Sequence, residues 1–199
     1  MTREEPVRPA PRAAAKLAGV AVAIFALLLV IGLFLVKVFS PSSLGHDEAS
    51  IDTDLARHRT GWLKSVTYWL TEGAQTRTVI GVAIVAVVIL YAVTRQWHKP
   101  LYVVVTLAGE VVIFVLVTLL VHRHRPFDGQ FGVTKELDPA PPTSSFPSGH
   151  TAAAVAMYGG LAVIVWRTNW RRVARITLVT LLALIPLAVG FSRVYRGMH

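Results

Sequence analysis

The sequence predicts an all-α integral membrane protein, a helix bundle with about five transmembrane spans. Three observations predict it. Apolar residues make up 54% of the 199-residue chain and charged residues only 16%, whereas a soluble domain carries about 25% charged residues. The apolar residues gather in five long runs, near the roughly 20 residues that cross a bilayer core. The net charge of +9 sits in short clusters between those runs. That pattern belongs to membrane topology rather than to a nucleic-acid-binding face. The length suits one domain. The absence of cysteine excludes disulfides, thiolate metal sites and a cysteine nucleophile.

Each element follows in order. Residues 1–16 are polar, hold three prolines and show no apolar periodicity, so a disordered cytoplasmic tail is expected there, ahead of a membrane domain over 17–199. The first apolar run, Leu17 to Phe39, exceeds the ~7–15 residues of a signal-peptide core and has no small-residue cleavage site behind it. It reads as a transmembrane helix. Further runs lie at about Val79–Val93, Leu101–Val121, Thr151–Trp166 and Ile176–Phe191. All but the second of these four fall short of a span unless their flanks join the helix. Between the first two runs, Trp62, Leu63, Val66, Trp69 and Leu70 recur at helical spacing, flanked by Lys64 and Glu72. This stripe fits a helix lying at headgroup depth and equally one packed on the bundle.

Topology follows from the basic residues. Arg3, Arg8, Arg12 and Lys16 precede the first span, Arg95 and Lys99 separate the second from the third, and Arg167, Arg171, Arg172 and Arg175 separate the fourth from the fifth. These short, densely basic stretches share one side, and only Glu4 and Glu5 are acidic among them. The other side mixes its basic residues with eight acids over more than twice the length. The positive-inside rule then puts the N-terminus in the cytoplasm and the loop after the third span outside. A multi-pass plasma membrane protein is expected.

Three polar clusters meet on the outward side. His122-Arg123-His124-Arg125-Pro126 ends the third span, Phe146-Pro147-Ser148-Gly149-His150 opens the fourth, and Ser192-Arg193-Val194-Tyr195-Arg196-Gly197-Met198-His199 follows the fifth. Arg125 and Arg193 offer planar forks for phosphate oxygens. Ser148 stands where it can cap a helix whose first N–H groups and dipole favour an anion. Gly149 permits close backbone approach. His150 and His199 can divide the work of nucleophile and general acid.

Here the chain resembles the type 2 phosphatidic acid phosphatase (PAP2) family, which shares a fold with vanadium haloperoxidases. Its signature reads K-x6-R-P, P-S-G-H and S-R-x5-H-x3-D, and this chain shows Arg125-Pro126, Pro147–His150 and Ser192 to His199 in that order. The resemblance covers the chain from about Trp62 onward. It implies a lipid phosphatase, acting on a polyprenyl diphosphate, phosphatidic acid or phosphatidylglycerol phosphate in the bilayer, with no cofactor, no metal and no nucleic acid. It implies that His199 attacks phosphorus to form a phosphohistidine and that His150 protonates the leaving group. Arg125, Arg193, Ser148 and the Gly149 amide hold the phosphate.

Two departures stand out. The family lysine position is Thr118, and by i+4 and i+3 spacing His122 is the accessory candidate on that face, better than Arg123. The family aspartate would come four residues after His199, where the chain stops. A C-terminally incomplete domain lacking an expected sixth span is therefore expected, with its activity in doubt. A catalytically impaired lipid-phosphate-binding protein is the rival reading.

Four other features have plainer readings. Glu110 reads as a protonated or hydrogen-bonded carboxyl inside the bundle. Arg196 reads as a headgroup or solvent contact, and His124 as a loop residue. The acids of 128–138 lack a calcium-loop spacing and read as a solvated loop.

Overall fold

The computed structural model describes residues 11–42, 50–51, 54–123, 137 and 144–198, with backbone alone at 11–14. Among them the ordered elements are all helices. Helix α1 runs Pro11–Phe34 and continues as a π-helical turn, Leu35–Phe39. It starts inside the stretch expected to be a disordered tail. Proline costs nothing at the first helical position, where an N–H would lack an acceptor. Ala13, Ala14 and Ala15 then supply the strongest helix former.

Helix α2 spans Gly61–Glu72, α3 Thr76–Thr94 and α4 His98–Leu120. Helix α5 spans Gly149–Trp166, with Val155–Gly159 in π geometry, and α6 spans Arg172–Tyr195. Among the described residues, five helices are long and apolar enough to cross a membrane: α1 from Ala15, α3, α4, α5 and α6. The chain is an integral membrane helix bundle. The runs that looked short lengthen through their polar flanks, so α5 reaches 18 residues and α6 reaches 24. At about 1.5 Å per residue even α5 extends about 27 Å, close to the hydrocarbon thickness.

Helix α2 packs on the bundle through the face opposite its tryptophan stripe. Thr67 and Thr71 are buried, while Trp62 and Trp69 are 66% and 72% exposed. The threonine face packs on α6, where Thr71 and Ser192 share a hydrogen bond of 2.8 Å. The tryptophan face points away from the bundle, as an interfacial helix requires.

Helix α5 is the most enclosed span. Its Met157 packs with Val79 of α3 and Val103 of α4, and its Ala154 packs with Ala74 and with Val189 of α6. Helix α1 packs on α4, and a Cβ on Gly32 would lie 2.7 Å from Val121 and 2.9 Å from the Phe146 ring. Any side chain there would force Val121, the Phe146 ring or α1 itself to shift.

The alternation of spans sorts the connections by end. Residues 95–97 join α3 to α4, with Arg95 in the left-handed region (φ 53) and Tyr91 stacked on Trp97 at 4.3 Å. Residues 167–171 join α5 to α6, and there the Arg175 guanidinium lies 4.9 Å from the Trp166 ring centre. Both basic connections share one end. The end of α4, the start of α5 and the end of α6 share the other.

Candidate active site

Helix α4 stops at Leu120, and Val121 is already extended (φ −108, ψ 102). The next residues bond to the bend that leads into α5. Ser145 N–H donates to the Arg123 carbonyl at 2.9 Å, and Arg123 N–H donates to Ser144 Oγ at 3.1 Å. Ser144 Oγ in turn donates to the Phe146 carbonyl at 2.8 Å. Helix α4 ends before His122, so helical spacing from Thr118 does not run through to it, and His122 is exposed.

After the cis Phe146-Pro147 peptide, Ser148 takes the N-cap position of α5 with φ −73 and ψ 113. Its side chain does not cap the helix, contrary to expectation. It accepts a hydrogen bond from Thr151 Oγ1 at 3.1 Å instead, while its carbonyl accepts from Ala152 N–H at 2.9 Å. A helix's first N–H groups have no acceptor in the helix itself, and this serine supplies none. At Gly149 the missing Cβ is filled by the Phe114 ring of α4, whose Cζ would lie 3.0 Å from it. A Cβ there would require the Phe114 ring to give way by a few tenths of an ångström.

Helix α6 brings the arginine. Thr151 of α5 packs against Gly190 of α6, with its Cγ2 3.7 Å from where a Cβ would lie. The helices are consecutive and antiparallel. One turn outward from this contact leads to Ser148 on α5 and to Arg193 on α6. Each is displaced by about 4.5 Å along its axis, so they stand at the same level. Arg193 is buried at 3% exposure. The structure thus brings Ser148, Gly149, His150 and Arg193 to one end of the bundle, beside the exit of α4. Arg125 and His199 lie outside the described residues. Met198, next to His199, is buried at this same end.

A set of contacts that sequence reasoning missed holds the end of α6. The Arg193–Met198 turn closes helix α6 with two bonds, Met198 N–H to the Arg193 carbonyl (3.0 Å) and Gly197 N–H to the Val194 carbonyl (2.9 Å), with Gly197 at φ 76. This is the Schellman arrangement, and it needs glycine at the left-handed position. Arg59 Nε donates to the Tyr195 carbonyl at 2.9 Å, and Thr60 N–H donates to the Tyr195 hydroxyl at 2.9 Å. Arg196 is not a headgroup or solvent contact. It is 5% exposed, donates from Nη1 to the Lys64 carbonyl (3.2 Å) and Thr67 Oγ1 (3.4 Å), and lies over Tyr68 at 5.6 Å. The signal available in sequence was the Tyr-Arg-Gly run itself, an aromatic and an arginine immediately before a helix-ending glycine.

Among the described residues, no cluster of three or more histidine, aspartate or glutamate side chains could hold a metal ion. The family model for the PAP2 superfamily matches residues 99–199, half of the chain and all of the site. The chain belongs to the PAP2 superfamily. Its fold is similar to the crystal structure of a transmembrane PAP2-type phosphatidylglycerolphosphate phosphatase from Bacillus subtilis. The TM-score is 0.74 at 18% identity, over 89% of this chain and 83% of that one. A comparison with curated proteins found no match. Within the PAP2 match, α4 supplies Phe114 and the approach to the site, α5 its helix start, and α6 its buried arginine.

Proposed function

We propose that this PAP2 protein hydrolyses a lipid phosphate or diphosphate through a phosphohistidine intermediate. One observation carries the reading. The start of α5, with Ser148, Gly149 and His150, stands level with the buried Arg193 at one end of a membrane bundle. A fixed guanidinium and a helix N-terminus both favour a phosphate group, and a bilayer presents phosphates at that depth.

In this mechanism a ring nitrogen of His199 attacks phosphorus. The bond to the lipid oxygen breaks, and His150 gives that oxygen its proton. Water then attacks the phosphohistidine, giving up a proton to His150 and returning the His199 nitrogen as phosphate leaves. Arg125, Arg193, Ser148 Oγ and the Gly149 N–H hold the phosphoryl oxygens as charge shifts between them. The basic connections at the opposite end support placing that end in the cytoplasm, with the site on the outer face of the plasma membrane. The membrane domain is taken as residues 17–199.

Phosphatidylglycerol phosphate is the first substrate to test, since the structurally similar Bacillus subtilis protein is a phosphatase for it. Phosphatidic acid and a polyprenyl diphosphate follow. The protein in liposomes should release inorganic phosphate from at least one of them, and His150→Ala and Arg193→Ala should each remove that release. Binding of all three lipids without any turnover would replace this reading with that of a lipid-phosphate-binding protein.

A further inference from the structure

We infer that the end of the bundle opposite the site is a docking surface for anionic phospholipid headgroups in the leaflet it faces. This goes beyond the lipid phosphatase reading and does not depend on it. The first observation is uncompensated charge. The stretches 95–99 and 167–175 carry Arg95, Lys99, Arg167, Arg171, Arg172 and Arg175, and the chain has no aspartate or glutamate in 73–109 or 139–199. Among the described residues none of the six cations is in a salt bridge. Arg95, Arg167, Arg171 and Arg172 are exposed. The two stretches are neighbours, since Gly160 of α5 faces Tyr102 of α4, whose ring would lie 3.7 Å from a Cβ on the glycine. Like charges within a Debye length of about 8–10 Å repel one another, and a counter-charge from outside the chain relieves that repulsion.

The second observation fixes the kind of counter-charge. Every tryptophan outside α2 lies in or beside these stretches: Trp97 between Arg95 and Lys99, Trp166 next to Arg167, and Trp170 next to Arg171. Each is more than half exposed. Tryptophan prefers headgroup depth, so the indoles place the neighbouring cations among lipid phosphates rather than in the water beyond. Arg175 is already held there. Its guanidinium lies 4.9 Å from the Trp166 ring centre, and its Nη1 donates to the Thr168 carbonyl at 3.3 Å. Its Nε is buried and has no partner among the described residues, so part of the donor set of this fixed fork is unused. Phosphate oxygens suit such a fork. Orientation in the membrane needs only an excess of basic residues on one side. It does not call for a tryptophan beside each cluster or for a guanidinium fixed against one. A soluble anion would use the charge and leave the indoles without a role, whereas a lipid headgroup uses both.

The tryptophans supply the test. With Trp62→Phe and Trp69→Phe, the remaining Trp97, Trp166 and Trp170 report on this end alone. The full chain is placed in bilayers of phosphatidylcholine and phosphatidylglycerol at fixed proportion, with bromine on the acyl chains of one lipid or the other. Brominated phosphatidylglycerol should quench the fluorescence more strongly than brominated phosphatidylcholine, with a preference of about fivefold for each headgroup in contact with one arginine. Replacing Arg171 and Arg172 together by glutamine should cut that preference by about fivefold or more, and replacing both by lysine should keep it within about twofold. In about 1 M salt, where charges are screened within ~3 Å, the preference of the parent should largely vanish. Equal quenching by the two lipids in the parent overturns the inference. A preference that survives the glutamine pair, or one that the lysine pair also loses, overturns it too. If the glutamine pair does not fold, the salt series on the parent decides, and a preference unchanged by salt overturns the inference. Absence of phosphate release from every lipid would overturn hydrolysis and leave this surface as it stands.

Discussion

Replacing Arg196 by methionine removes a charge and a fork while keeping much of the side-chain volume. The structure sets the size of the effect. Its two bonds to α2 come from one nitrogen and are long, 3.2 Å to the Lys64 carbonyl and 3.4 Å to Thr67 Oγ1. Together they count as about one weak charge-assisted bond, about 1.5 kcal/mol. The guanidinium lies 5.6 Å from the Tyr68 ring centre, inside the reach of a cation–π contact contributing about 0.5–1 kcal/mol. Methionine avoids the cost of enclosing a guanidinium, which offsets part of this. Thr67 Oγ1 still donates to the Leu63 carbonyl at 2.7 Å, so the substitution leaves no new orphan on that side. The net loss is about 1–2 kcal/mol, a factor of about 5–30 in a local equilibrium. Because these contacts join the end of α6 to α2, the loss is concentrated in those two segments. Hydrogen exchange in detergent micelles should speed up by about that factor in Gly61–Glu72 and at 192–198, and stay unchanged in Thr76–Thr94 and His98–Leu120. A double-mutant cycle with Tyr68→Leu should return a coupling of about 0.5–1 kcal/mol. Unchanged exchange in α2, or equal acceleration in all helices, would refute Arg196 as the lock between α2 and α6.

Gly197 sits at φ 76, so Gly197→Ala should cost about 1–2 kcal/mol; on the proposed mechanism, with His199 as nucleophile, it should also lower phosphate release, and a variant as active as the parent would show that the turn is not needed for turnover. Gly149→Ala puts a methyl 3.0 Å from Phe114 Cζ, so it should impair turnover, and the smaller ring-free side chain of Phe114→Leu should restore part of it; a double variant no better than the single one would sink the packing explanation. Cysteines placed at Phe131 and Asn169 should label oppositely with an impermeant thiol reagent on intact cells, Phe131 from outside; labelling at Asn169 alone would turn the bundle over.

The spans were legible because lipid imposes a length and forbids charge, which the runs around Leu17, Leu101 and Ile176 display directly. The start of α5 was legible because Pro147, Ser148, Gly149 and His150 are contiguous, so local chemistry alone marks a helix start. What was not legible depended on contacts across the fold. The end of α4 at Leu120 is set by pairing of Arg123 with Ser144 and Ser145, and helical spacing through His122 could not anticipate it. Ser148 is engaged by Thr151 of its own first turn rather than by the backbone, a choice between two local partners that composition does not rank. Arg196 looked like a residue for solvent because its partners, Lys64, Thr67 and Tyr68, are more than 120 positions away in the chain.

The distribution of burial explains how a bundle this open holds a site. Among the described residues the large apolar side chains of α1, α3 and α4 are mostly exposed to where lipid would lie. Between helices in lipid there is no hydrophobic drive, and spans associate through close contact of small groups. The small contacts are present, with Ala154 on Ala74 and Val189 and with Thr151 on Gly190. Such contacts fix the distance between α5 and α6 but leave sliding and rotation soft. The directional bonds are concentrated at the site end, where Thr71 meets Ser192, Arg59 and Thr60 meet Tyr195, and Arg196 meets Lys64 and Thr67. These bonds fix the register of α6, and Arg193 stands on the same two turns of helix. Placing the level of Arg193 against Ser148 is thus the work of α2 and the 59–60 segment, outside the part of the chain that carries the proposed phosphate-binding groups.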